Sequence, residues 1–412
     1  MPIMQERKAG LMGRLRALYV ATAVSSFGDG VFAAAVPLAA AAVTRDPAAV
    51  AIVSAAEMIP WVLIGPFAGA MVDRLPYRAV MIGADLARLI VLAVVGLAIA
   101  TGHSSVLLLA CAAFLVMAGT TFFDAASQSI IPELVDRNDE LLNQVNGRQG
   151  SLSSAGRSLL GPPAGSAMFV AGPAIPFVVN AVTFLVSGLC VAFLKHKTAR
   201  IPNRDVSIGR SIRDGMVWLA RHSVLRALAI LIAVSNLSYS AATATLVLYA
   251  QESLRLADAA YGILLAVGAI GGIAGGLLAS RVIRKIGDAR ALQVAMASQV
   301  VAWVGLALTT SPYVAGAMLA LAFMGTSVAT VVAVSARQRL TPPDMLGRVV
   351  TSFRVLGTGM LPAGGLLGGL VAANWGLRAP LWAAAALLIV PTILAPLVIG
   401  RSLAGPSEPV EE

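Results

Sequence analysis

Charge is what this sequence has least of. Only 12% of its 412 residues are Asp, Glu, Lys or Arg, and 20 of these are acidic. A soluble domain needs roughly a quarter of its residues charged to cover its surface, so a soluble fold is excluded. Histidine and cysteine are almost missing, at 3 and 2 residues. His103, His196 and His222 fall in loops, while Cys111 and Cys190 fall inside apolar runs. That leaves no set with metal-ligand spacing and no disulfide to expect. No P-loop and no nucleophile–base constellation occurs, so neither ATP nor enzymatic chemistry is expected here. A cleavable signal is not expected either, because the apolar run after MPIMQERKAGLMGRLR is too long for one.

What fills the sequence is apolar residue, 58% of it, in blocks long enough to cross the ~30 Å of a bilayer core. The pattern predicts an all-α membrane protein with about twelve spans, at 15–43, 48–73, 78–101, 104–131, 142–171, 174–194, 225–250, 259–282, 290–310, 312–336, 346–373 and 378–400. The one long polar stretch divides the chain into a six-helix bundle at 1–194, a cytoplasmic linker at 195–224, and a second bundle with a short tail at 225–412. In the linker, Ile208, Ile212, Met216, Leu219 and Ala220 recur at helical spacing among Arg210, Arg213 and Arg221. This predicts an amphipathic helix.

The net charge of +10 is distributed by side. Arg7, Lys8, Arg14, Arg16, Arg74, Arg78 and the central loop lie on one side, as do Arg281, Arg284 and Lys285. The other side holds only Arg45, Arg255 and Arg378. Basic residues gather on the cytoplasmic side of membrane proteins. Both termini are therefore expected inside, and the excess charge is a topology signal with no nucleic-acid partner implied.

The two halves echo each other. GAMVDRLPYR (69–78) and GLLASRVIRK (276–285) align Gly69 with Gly276 and Arg74 with Arg281, each 207 positions on. A duplicated bundle predicts two pseudo-symmetric repeats with a cavity near the membrane midplane.

These residues resemble the major facilitator superfamily, whose loop motif G-x-x-x-D-R stands here as Gly69, Asp73, Arg74 and Arg78. Pro76 and Tyr77 replace its usual glycine and basic residue, and Ser280 replaces the aspartate in the second half. GDGVFAAAVPL, FFDAASQSIIPELV and LLNQVNGRQGSLSSAGRSLLGPPAG resemble, more narrowly, the drug:proton antiporter group of macrolide-efflux, Tap-type multidrug efflux and enterobactin-exporter proteins. The resemblance implies the major facilitator fold and a bacterial cytoplasmic membrane protein. It implies export of drugs or other amphiphilic small molecules in exchange for protons, by alternating access. The partners would be substrate, protons and lipid; the proton gradient would supply the energy without a cofactor, and the chain would act as a monomer. It also implies a conformational latch at the loop motif. Alternatives are an exporter dedicated to one siderophore or natural product, a lipid flippase, or a membrane sensor. The usual fourth-span R-x-x-Q-G motif is absent.

An ionised side chain in the bilayer interior costs at least ~2.5–3.5 kcal/mol, so such residues face partners or water. Asp29, Glu57, Asp85, Arg88, Asp124, Arg157 and Arg354 qualify. Desolvation makes a carboxylate hold its proton and a nearby cation opposes this. A carboxylate balanced between them can load and release a proton, so Asp29, Glu57 and Arg157 are the proton-coupling candidates. Asp85 and Arg88, three apart on one face, are expected to satisfy each other. Asp124 is expected near the interface in a structural role. Arg354 has no acid in the spans of its own half. With Asn236, Tyr239 and Trp303 it forms the substrate-cavity set. Gly161, Pro162 and Gly165 are read as a helix-packing motif.

Overall fold

The computed structural model describes residues 2–72, 74–135, 139–193, 208–342 and 345–403. Every regular element among them is helical. The chain divides into two compact units. The first holds the described residues up to Ile208 together with Val247–Ala266. Its helices are α1 (Pro2–Val43), α2 (Pro47–Leu63), α3 (Gly65–Val72), α4 (Tyr77–Ala100), α5 (Val106–Leu134), α6 (Asp139–Ser154), α7 (Gly161–Ala171) and α8 (Ile175–Ala192). There follow α9 (Ile208–Arg221), α10 (Ser223–Thr243), α11 (Leu246–Leu248), α12 (Asp258–Ile286), α13 (Asp288–Leu308), α14 (Pro312–Leu340), α15 (Leu346–Trp375) and α16 (Ala379–Leu403). The second unit takes Gly209–Leu246 and the described residues from Val267 onward. Val247–Ala266 thus lies with the first unit although it follows the linker in sequence.

Ten of these helices are long and apolar enough to cross a membrane. The other two expected spans, 48–73 and 142–171, are interrupted, and each interruption has a local cause. The second span breaks at Ile64, between α2 and α3, where Gly65 and Pro66 make a poor helical pair. The fifth widens into a π-helical segment at Ala155–Leu160 between α6 and α7. Pro162 and Pro163 follow it and have no N–H for the carbonyls of Ser158 and Leu159 four residues back. The amide of Gly161 instead reaches the carbonyl of Gly156, five residues back.

Helix starts follow their caps. The Asp46 side chain accepts from the amide of Ala48 at 2.9 Å, just ahead of Pro47 at the first position of α2. Ser105 accepts from the amide of Leu108 at 3.2 Å at the start of α5. Between α12 and α13 the chain turns through Gly287, at φ 78°, a conformation that favours glycine.

Within the first unit, Leu18, Met81, Phe123, Ile130 and Ile131 pack into one buried cluster that ties α1 and α4 to α5. Helices in lipid gain little from apolar burial alone, so this cluster holds by close contact. In the second unit, α9 docks on the start of α15. Gly215 leaves room for the carbonyl of Arg348 and the hydroxyl of Ser352, and Arg348 pairs with Asp214 at 3.2 Å. The expected amphipathic helix is therefore anchored to a spanning helix through its own backbone.

Candidate functional site

The site grows from a seam of glycines in the first unit. A side chain at Gly30 of α1 would strike the carbonyls of Gly156 and Arg157 and the Cα of Gly161. One at Gly165 would strike the carbonyl of Val31. Gly28, on the other face of α1, meets the Asn180 and Thr183 side chains of α8. The helix-packing motif Gly161, Pro162, Gly165 thus presses the fifth span onto α1, backbone against backbone. Pro162 also presents its carbonyl to Gly262 of α12, within the same unit.

The seam brings Asp29 and Arg157 together. Arg157 lies inside the π-helical segment, a widened turn of a kind often found at functional sites. Its Nη2 donates to Asp29 Oδ2 at 2.7 Å and lies 3.6 Å from Asp124 Oδ2. Asp124, expected in a structural role near the interface, is therefore a member of this group. Arg88 of α4 pairs with Asp85, as expected, but also reaches Asp29 Oδ1 at 3.9 Å. Its Nη1 donates to the Thr120 hydroxyl at 3.1 Å, and its guanidinium lies 4.0 Å from the centroid of the Phe184 ring. Glu57 of α2 is half-buried, interacts electrostatically with both Asp29 and Arg157, and ion-pairs with no described residue.

The two arginines differ in access. The Arg88 side chain is 0% exposed and Asp85 1%, whereas Arg157 is 32% and Asp124 29% exposed. Arg157 and Asp124 line a cavity of about 590 Å³, with Thr22, Ser25, Ser127 and Gln149 among its walls. Gln149 donates to the hydroxyls of Thr22 and Ser127, both at 3.1 Å, tying α6 to α1 and α5. Volumes of ~300–1,000 Å³ are usual for small-molecule sites. These hydroxyl and amide residues were not anticipated as site residues, yet their spacing is a signal. Thr22, Ser25, Ser26 and Asp29 follow helical spacing along α1, and Asp124, Ser127 and Gln128 do so along α5. Asn146, Gln149, Ser153 and Arg157 continue the pattern along the fifth span.

In the second unit the substrate-cavity candidates separate. Tyr239 and Trp303 lie together, ring centroids 6.5 Å apart, with Phe323 at 5.4 Å from Tyr239. Trp303 is wholly buried and its indole N–H has no hydrogen-bond partner among the described residues. Asn236 is committed to the backbone, donating to the carbonyl of Gly357 at 2.9 Å. Arg354 stands apart on an exposed face of α15.

Of the latch residues, Asp73 lies outside the described residues. Arg78 donates to the carbonyl of Ala192 at the end of α8, a favourable place for a cation. Arg74 is engaged with a neighbour, and Gly69 faces open space.

A sequence profile of the Major Facilitator Superfamily matches residues 18–361. MFS-type transporters of Mycobacterium tuberculosis and Mycobacterium bovis are each 39% identical over 137 residues. The match covers 32% of this chain and 30% of each relative. Among solved structures, the nucleoside transporter NupG superposes with a TM-score of 0.76 at 11% identity, over 92% of this chain and 99% of that one. A bacterial homologue of the iron transporter ferroportin, in its inward-facing state, gives 0.77 at 17% identity over 94% and 99%. A bacterial homologue of the human lysosomal transporter Spinster, in its occupied inward-facing state, gives 0.73 at 13% identity over 94% and 97%. At such identities the likeness concerns the fold.

Proposed function

Because the chain belongs to the major facilitator superfamily and is thus a multi-pass membrane transporter, we propose that it exports an amphiphilic small molecule in exchange for protons. The observation that carries this reading is a charge count. Four carboxylates, Asp29, Glu57, Asp85 and Asp124, share the interior of the first unit with two guanidiniums, Arg88 and Arg157. Fully ionised, the group holds two negative charges in excess, and uncompensated charge within a bilayer is costly. Protons entering along the cavity that Asp124 lines are the compensating cations. Arg88, locked on Asp85, serves as the fixed charge. Arg157, held by Asp29 and open to the cavity, is the residue through which proton occupancy can alter the cargo's surroundings.

The hydroxyl and amide walls of the cavity suit the polar end of an amphiphile, and they equally support a siderophore or another natural product as cargo. The membrane is the bacterial cytoplasmic membrane, with both termini inside, as the one-sided distribution of Lys and Arg supports. The chain works as a monomer, without a cofactor. Asp73, Arg74 and Arg78 act as the latch of the loop motif.

The test is proton-driven efflux from vesicles bearing the protein, with Asp29→Asn and Glu57→Gln measured singly. Coupling should be lost in at least one variant and abolished in the wild type by a protonophore. Full coupling in both variants, or no protonophore effect, sinks the reading.

A further inference from the structure

The cavity beside Arg157 differs from the usual small-molecule pocket, whose walls are mostly apolar. Among the described residues of its lining, Phe123 is the one large apolar side chain, and hydroxyls and amides make up most of the rest. Much of this polar wall is buried: Thr22, Ser25, Ser26, Ser127 and Gln149 are each at most 9% exposed. Uncharged polar groups are costly to bury without partners, and here they are only partly spent on each other. The amide nitrogen of Gln149 donates to Thr22 and to Ser127, both at 3.1 Å. A hydroxyl that accepts keeps its own hydrogen to give. Thr22 and Ser127 therefore remain donors, and the carbonyl oxygen of Gln149 remains an acceptor. The Ser26 hydroxyl donates to that of Ser153 at 3.3 Å, and Ser25 bonds to no described residue. The charge at the wall is already committed, because Arg157 lies 2.7 Å from Asp29 and 3.6 Å from Asp124. Donors and acceptors thus stand side by side, and the one guanidinium among them is held by two carboxylates.

We propose that this cavity takes a neutral, polyhydroxylated headgroup, by chemical class that of a sugar or a glycoside. A ligand hydroxyl accepts from Thr22 or Ser127 and donates to the Gln149 carbonyl in turn. Neither an ammonium, which only donates, nor a carboxylate, which only accepts, matches both. Gln149 is the positioning residue, because its two bonds join the hydroxyls of α1 and α5 into one wall. As a statement about cargo, this rests on the export reading above, in which protons supply the positive charge that the carboxylates lack. It deepens that reading by naming the polar end of the amphiphile.

The full-length protein in phosphatidylcholine nanodiscs is titrated with the glucoside, galactoside and mannoside of 4-methylumbelliferone, read by fluorescence polarisation, with empty discs as background. At least one glycoside should bind saturably. The same ring without a sugar, 7-methoxy-4-methylcoumarin, should not, because a site built for hydroxyls rejects an analogue that lacks them. The phenyl glycoside of the same sugar should displace the probe, whereas benzylammonium and benzoate at equal concentration should not, a result independent of how any variant folds. Ser25→Ala should weaken binding about fivefold, the scale of one hydrogen bond, and Gln149→Leu by about tenfold or more. Absence of saturable binding by every glycoside, equal displacement by a charged competitor, or variants that bind like wild type overturn the proposal. No proton gradient is used. Coupling lost in vesicles with glycoside binding intact therefore sinks only the export reading, and the reverse sinks only the headgroup.

Discussion

Arg88 is enclosed on every side that matters to a guanidinium. It has Asp85 and Asp29 as counter-charges, the Thr120 hydroxyl as acceptor, and the Phe123 and Phe184 rings within 4.9 and 4.0 Å. Gly119 faces the methylene stem of the same side chain, where any other residue would crowd it. Removing one partner of a buried ion pair strands the other charge and costs ~3–5 kcal/mol. Arg88→Ala should therefore lower the thermal midpoint of the purified protein sharply and reduce its yield. Arg157→Ala removes a half-open side chain and should leave the midpoint much closer to wild type while abolishing proton-driven transport. Equal thermal losses in the two variants would contradict this division of labour. The sequence already marked Asp29, Glu57 and Arg157 as costly charges, because a carboxylate or guanidinium in an apolar run is visible without a structure. It did not reveal that Arg88 belongs with them, since a partner three residues away satisfied the local accounting.

At the scale of the element, the fifth span is the instructive one. Read as a string, 142–171 is one helix with a Gly-Pro motif. In space it is α6, a π-helical turn and α7, and that turn carries Arg157. Pro162→Ala with Pro163→Ala restores the missing N–H donors and should let the turn relax toward α-helix. Rotating Arg157 relative to Asp29 in this way should impair coupling more than folding, as judged by vesicle efflux against thermal midpoint. Gly161→Leu, which drives a bulky side chain into Gly30, is expected to destabilise by at least ~1–3 kcal/mol, since overpacking displaces backbone. An unchanged midpoint would show that the seam yields. Helix breaks of this sort were poorly legible beforehand. Proline positions are plain in the sequence, but whether a helix bends, breaks or widens there depends on which neighbour presses against it. The cavity walls were legible in principle, through hydroxyl and amide residues at helical spacing, but such residues are also common at ordinary helix contacts.

For the whole molecule, the helical class and ten of the twelve expected spans followed from hydropathy alone, because a bilayer demands long apolar helices whatever the cargo. The division into compact units did not, since Val247–Ala266 joins the first unit by contacts that no composition change announces. The sided distribution of Lys and Arg makes a prediction for the intact chain. Alkaline phosphatase fused within residues 195–207 should be inactive, as a cytoplasmic enzyme would be, and fused at Arg255 it should be active. The opposite pattern reverses the orientation. The glycine seam also carries a consequence for heredity. Substitutions at Gly30, Gly156, Gly161 or Gly165 meet backbone at once, so drifting lineages can hardly cross those positions. Ser25 and Ser153 line the cavity, where a substitution alters its walls and not the seam. Descendants of this gene that acquire new cargoes should therefore differ at the serines and keep the glycines.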